Sequence, residues 1–364
     1  MRNTTPGAAL AASLGLLSLN AMAMDPKAFD DFISNTTLSG KSYLDFTHIN
    51  QQSNGNEVPP TGNGVDVKRF YVTIDHKFND VWSVDLTNDF NYVSNDSETQ
   101  WYVKKAYLQA KLSDAAIIRA GSADLPWVPY VEHQYGYRYV ENTLIDRLKF
   151  GTSADWGVHM GGKLMNSKIS YSVAAINGGG YKNPQRSNSM DFTGRLGFEP
   201  IKGLNLAGGY YSGKLGEDQK DGAQTRTASR WDAVLAYVNP KFRLGTEYFQ
   251  ADNWNTSNNN AVFSSNPNDK ADGYSVWGSV VPMQKVSLFA RYDYAKPNKD
   301  TNSSLKDHYY NVGVSYAAYK NVDLALVYKH EKVDNGTINT SNGKIGGTND
   351  GTYDEIGMWA QVKF

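Results

Sequence analysis

Residues 122–150, SADLPWVPYVEHQYGYRYVENTLIDRLKF, hold the densest set of chemically capable side chains in this chain. Trp127, Tyr130, Tyr135, Tyr137 and Tyr139 are interleaved there with Asp124, Glu132, His133, Arg138, Glu141, Asp146 and Arg147. Two kinds of chemistry suit that mixture. Carboxylates and arginines at close quarters make ion pairs, and a focused set of them selects charged solutes. Tyrosines offer either a face on which a sugar can stack or rigid packing for the segment itself, and packing is the simpler use. The stretch is too long for an ordinary connection and too aromatic for disorder.

Other chemistries find no support. The six histidines (His48, His76, His133, His159, His308 and His330) are scattered without metal-ligand spacing. No HExxH, GxSxG or GxxxxGK[ST] motif occurs, and the absence of cysteine removes disulfides, thiolate metal sites and cysteine nucleophiles. Gly178, Gly179 and Gly180 precede no Lys-Ser/Thr pair and read as loop glycines, while Asp269 and Asp272 could at most hold calcium weakly. His330 is the one histidine expected near an outward strand end, and it has no evident serine partner. No enzyme activity and no cofactor are expected. With 36 basic and 37 acidic side chains there is no basic footprint for nucleic acid.

The elements that must position residues 122–150 are strands. Abundant Tyr (24) and Gly (33) with few prolines (12) suit many strands joined by turns. Residues 1–23 have the form of a signal peptide: Arg2, an apolar core over 8–19 and a small-x-small Ala21-Met22-Ala23. The mature domain then covers residues 24–364, beginning with about one helical turn. From Tyr43 onwards, apolar and polar residues alternate. Phe70, Val72 and Ile74 alternate with Arg69, Tyr71 and Thr73, and Val322, Leu324 and Leu326 with Asp323 and Lys329 further on. Seven short links alternate with eight longer ones, which predicts sixteen strands. An all-β, 16-stranded antiparallel transmembrane barrel with residues 122–150 as its third long loop, folded inward, satisfies the pattern. A negative mean hydropathy does not oppose it, because such strands are apolar on one face only.

Sixteen strands enclose an aqueous lumen. The inward register gathers Arg69, Asp85, Arg119, Arg195, Arg230, Glu247 and Arg291 on the wall, opposite Trp127, Tyr130, Glu132, His133, Arg138 and Glu141 of the loop. Arg119, Arg195 and Arg291 could face the loop and form a field that selects anions, or could simply be solvated wall residues paired with acids. The same register places Lys68 and Lys104 on the outer face at loop-side strand ends.

Residues 102–132, YVKKAYLQAKLSDAAIIRAGSADLPWVPYVE, resemble the phosphate-selective porin O and P family. Ala106, Tyr107 and Leu108 match its strand before the constriction loop, and Arg119, Gly121 and Pro126 match the strand and loop entry that follow. The terminal Phe364 is similar to the C-terminal aromatic of outer-membrane proteins. The resemblance implies a homotrimer in the outer membrane and, in phosphate-specific members, an arginine ladder with clustered loop lysines. This loop has one lysine, Lys149, and the wall is mixed in sign. The expected function is passive diffusion of small hydrophilic solutes or ions, with preference for anions such as phosphate-type oxyanions as one form. A sugar- or oligosaccharide-selective channel and a sleeve around a partner protein are the alternatives.

Overall fold

The computed structural model describes residues 26–93, 98–254 and 261–364; the leader at residues 1–23 lies outside them. The chain enters through helix α1 (Pro26–Ser34), longer than the single turn expected, and then forms sixteen long strands. These are β1 (Thr36–Ser53), β2 (Gly62–Lys77), β3 (Trp82–Val93), β4 (Glu98–Ser113), β5 (Ala116–Asp124), β6 (Ala154–Leu164), β7 (Ile169–Ile176) and β8 (Asp191–Phe198). They continue as β9 (Leu204–Gly213), β10 (Ala228–Val238), β11 (Phe242–Asp252), β12 (Lys270–Met283), β13 (Val286–Lys296), β14 (Lys306–Tyr319), β15 (Val322–Asp334) and β16 (Asp350–Lys363). A two-residue piece, Asn56–Glu57, folds back antiparallel on the end of β1, and Thr337–Thr340 pairs with Gly343–Gly346 in a hairpin between β15 and β16.

Each long strand pairs antiparallel with its neighbours in sequence, and β1 closes the sheet on β16 from Lys41↔Lys363 to Ser53↔Gly351. A closed sheet leaves no unpaired edge, so every strand's backbone can be satisfied without water. The side chains are arranged inside out relative to a water-soluble protein. Leu326 and Phe192 are 59% and 61% exposed, whereas Asp293 and Glu355 are 0% exposed. Apolar residues cover the outside and charged ones the lumen, the arrangement of a transmembrane β-barrel. Aromatics ring the outer wall near the loops (Trp101, Phe192, Trp231) and near the turns (Phe78, Phe242, Tyr319), the heights of the two bilayer interfaces.

Two lysines depart from the strict alternation. The β1–β2 register shifts at Tyr43/Leu44, skipping Lys68, and the β3–β4 register shifts at Thr87/Asn88, skipping Lys104. A bulge sets two consecutive residues against one partner and re-aims side chains. Lys68 therefore reaches Asp45 and Glu355 (3.4 and 3.9 Å) inside the barrel, and Lys104 reaches the Tyr71 hydroxyl at 3.5 Å. Neither serves the outer face, as simple alternation had placed them. In reconstituted protein, Lys104→Cys should react with a membrane-impermeant maleimide while its neighbour Val103→Cys, on the lipid side, stays unlabelled. The reverse pattern would show that Lys104 faces lipid and that no bulge turns it inward.

Candidate functional site: a loop clamped across the lumen

The long loop leaves the wall below the rim because β5 is short: its pairing with β4 stops at Ala106↔Ser122, while β4 continues to Glu98. Gly121 makes the close approach possible. Its φ is +128°, and a Cβ there would lie 2.1 Å from the Ala106 carbonyl oxygen. The Leu125 N–H donates to the Ser153 carbonyl at 2.9 Å and ties the two ends of the loop together. Helix α2 (Val128–Tyr135) begins with Pro129 in its first turn and ends at Gly136, whose left-handed backbone (φ 83°) lets its N–H bond the Glu132 carbonyl. Helix α3 (Leu144–Arg147) follows.

The barrel wall holds this segment at many points. Trp127 Nε1 donates to Glu247 at 2.7 Å. Arg195 donates to the Pro126 carbonyl at 2.9 Å and lies 4.0 Å over the Tyr130 ring. Arg243 donates to the His133 and Gln134 carbonyls (2.9 and 3.0 Å), placing a cation at the negative end of α2. The hydroxyls of Tyr137 and Tyr139 bond Ser287 and Ser315, each at 2.8 Å, and the Tyr137 ring stacks on Phe289 at 4.1 Å. Arg291 reaches the Asn142 carbonyl at 2.5 Å, and Arg230 the Phe150 carbonyl.

Arg147 makes the most concentrated contact. Its guanidinium meets Asp293 (3.0 Å, β13), Asp307 (2.5 Å, β14) and Glu331 (2.6 Å, β15), and all four side chains are completely buried. Its face lies over the Tyr309 ring at 4.4 Å. The planar fork lets one side chain join three strands. Burial opposes the charge on Arg147, but the three carboxylates outweigh it and hold the guanidinium well above its ordinary range. Glu141 shows the mirror case. Burial pushes it up, yet Lys329 at 3.4 Å, the Ser341 hydroxyl and Arg147 together bring it down to about 2.

The wall arginines expected to face solute are thus mostly engaged with the loop. Arg195, Arg230 and Arg291 donate to its carbonyls, and Arg119 bonds Gln109 and lies over Tyr107. Arg69 pairs with Asp89 at 2.8 Å, Asp85 lies 3.7 Å from Lys105, and Glu132 holds Arg138 at 2.6 Å. His133 is exposed and lends the wall its carbonyl. Asp269 is taken up by Asn298, Thr301 and backbone N–H groups, and Asp272 pairs with Lys299.

A cavity of about 670 Å³ remains between the loop and the β1–β4 side. Six cations (Lys68, Arg69, Arg138, Lys149, Lys182, Lys329) and three carboxylates (Asp66, Glu141, Asp146) line it, and Asp45, Asp89, Glu132 and Glu355 behind the lining pair with Lys68, Arg69, Arg138 and Lys329. Lys182 sits 4.2 Å over the Tyr102 ring; burial, then the nearby Arg69, lowers its ammonium to about 8. Burial likewise lowers Lys149. Lys104 lies 4.7 Å over Tyr71 and 5.9 Å from the Tyr181 ring. The sequence carried a signal for two of these residues. Val67-Lys68-Arg69 and Val103-Lys104-Lys105 each break the period of two with a doubled cation, as a bulge would.

A closed sixteen-strand antiparallel barrel is an architecture with known counterparts. It is the porin fold. The anion-selective porin from Comamonas acidovorans superposes with a TM-score of 0.65 at 11% identity, covering 90% of this chain and 99% of that one. The outer-membrane channel DcaP of Acinetobacter baumannii gives 0.64 at 14%, over 90% and 97%. In-vitro folded OmpT of Vibrio cholerae, in its trimer form, gives 0.59 at 13%, over 90% and 99%. No protein-family model matches the sequence, and no curated protein matches it either.

Replacing Arg147 with Met should free the loop and spare the barrel. Three buried carboxylates lose their shared cation, a loss of about 3–5 kcal/mol for a broken buried network, while the strand ladder is untouched. The variant should keep the heat-resistant gel mobility of a folded barrel but admit protease to residues 125–153. Unchanged protection would show that the other clamps suffice.

Proposed function

We propose that this protein is an outer-membrane porin that passes small hydrophilic solutes by passive diffusion and prefers anions. In this reading, residues 1–23 direct export and are removed, and the mature barrel resides in the bacterial outer membrane as a homotrimer. The observation that carries the proposal is the one-sided docking of the loop. Clamped to β8–β15, it leaves an aqueous cavity on the β1–β4 side whose lining has six cations to three carboxylates. A low-dielectric wall with an excess of one charge raises the local concentration of the opposite ion. The acids that would oppose anions are withdrawn from the path, since Asp293, Asp307 and Glu331 are buried against Arg147.

The tyrosines of the loop fit this role as packing. Tyr135, Tyr137 and Tyr139 are buried, and the Tyr137 and Tyr139 hydroxyls bond the wall, so they present little free face to a sugar. A sleeve around a partner protein would require the part of the lumen that the loop already fills. The pore-facing residues in this proposal are Lys68, Arg69, Arg138, Lys149 and Lys182, with Arg195, Arg230, Glu247, Arg291 and Trp127 holding the loop that shapes the bore.

Reversal potentials in a KCl gradient across a planar bilayer test it. The wild-type channel should favour chloride, and Lys149→Ala combined with Lys182→Ala should move the reversal potential towards that of a non-selective pore. Lys182 carries its charge below about pH 8 and loses it above. Raising the pH from 7 to 9 should therefore weaken the anion preference of the wild type and leave the double variant nearly unchanged. A cation preference at pH 7, or no conductance at all, would overturn the proposal.

A further inference from the structure

Helix α1 precedes the barrel at the end where the short turns lie, and its residues from Lys27 to Ser34 are all exposed. Phe29, Phe32 and Ile33 fall at i, i+3 and i+4 and so share one side, while Lys27, Asp30, Asp31 and Ser34 occupy the other. The three apolar residues are 38%, 37% and 54% exposed, an unusual cost for a helix surrounded by water.

The contacts of this helix fix where that apolar side stands. The Phe32 ring stacks on His76 at 4.7 Å with the planes 26° apart. His76 lies on the outer face of β2, two residues beyond the outward Ile74, and its other side touches the Phe78 ring at 4.8 Å. The Thr36 hydroxyl, which donates to the Phe32 carbonyl at 2.6 Å, also lies 2.8 Å from His76 Nδ1, so strand and helix are joined at that point. Around it are Leu38 (66% exposed), Phe78 (59%) and Trp82, all on the outer flank at the turn-side rim. The apolar side of α1 is therefore continuous with the surface that meets lipid, not with the lumen.

We propose that α1 is an interfacial anchor, lying in the turn-side leaflet with Phe29, Phe32 and Ile33 at the boundary between headgroups and acyl chains and its acidic side towards water. The proposal rests on the barrel being membrane-embedded. The anchor would fix the height of the barrel at that interface, complementing the aromatic ring beside it.

The absence of cysteine makes single-site labelling clean. Phe32→Cys, Ile33→Cys, Asp31→Cys and, as a lipid-facing reference on β13, Leu288→Cys would each carry an environment-sensitive fluorophore in the full-length protein, reconstituted in phosphatidylcholine vesicles. Labels at Phe32→Cys and Ile33→Cys should be quenched more by lipids spin-labelled near the headgroup than by lipids spin-labelled deep in the chain. They should resist aqueous iodide, which should quench the label at Asp31→Cys. Iodide quenching at both apolar positions, with the Leu288→Cys label still quenched by lipid, would overturn the anchor and leave the barrel reading intact. Protection from lipid and iodide alike would also overturn it and assign the face to a second copy of the chain. Failure of lipid to quench the Leu288→Cys label would overturn the membrane reading first and the anchor with it.

Discussion

One buried guanidinium surrounded by three carboxylates decides the shape of this lumen. Arg147 reaches Asp293, Asp307 and Glu331 on three successive strands, and none of the four groups has solvent to fall back on. A buried charge without its partner is strongly destabilising, so each member makes the others necessary. The carboxylates need a cation delivered from the loop, and the loop needs that wall. Arg291 sits beside them, shared between Asp293 and the Asn142 carbonyl, and Lys329 extends the network to Glu141 and Glu355.

Docking on one side has an electrostatic consequence. The acids of β13–β15 are consumed beneath the loop, and the open space lies against β1–β4, where two bulges turn Lys68 and Lys104 inward beside Arg69 and Lys105. The side chains that line this open space are six cations and three carboxylates, with Asp45, Asp89 and Glu355 paired behind them. Several of the cations rest on tyrosine faces as well as carboxylates, Lys182 on Tyr102 and Lys104 on Tyr71 among them. A ring face binds a cation without neutralising it, so the field is retained.

The parts of this molecule written in local periodicity were legible from the sequence. The alternation of Leu324 and Leu326 with Asp323, or of Phe192 with Asp191 and Thr193, follows from a strand with two different solvents, and the alternating link lengths follow from chain reversal. The structure places those residues on the faces the pattern assigned. A strict period of two misplaces Lys68 and Lys104 because a bulge inverts every inference drawn from it, and the cue to that bulge is a doubled cation. The clamping role of Arg195, Arg230 and Arg291 was hidden for a different reason. Their partners are loop carbonyls, which every residue possesses, so side-chain identity says nothing about them. Arg147 depends on three residues more than 140 positions away in sequence. Its only local hint was a charge among Leu144, Ile145 and Leu148.

The conducting protein should already carry residues 125–153 docked against β13–β15. Bridging Tyr139→Cys on the loop to Ser315→Cys on β14 with a short bis-thiosulfonate, while single-channel conductance is recorded, tests it directly. The bridge should form readily and leave the open-channel conductance at its unbridged value, because the two native side chains are already in contact. A bridge that fails to form, or a conductance that changes when it does, would mean that the working channel holds its loop elsewhere.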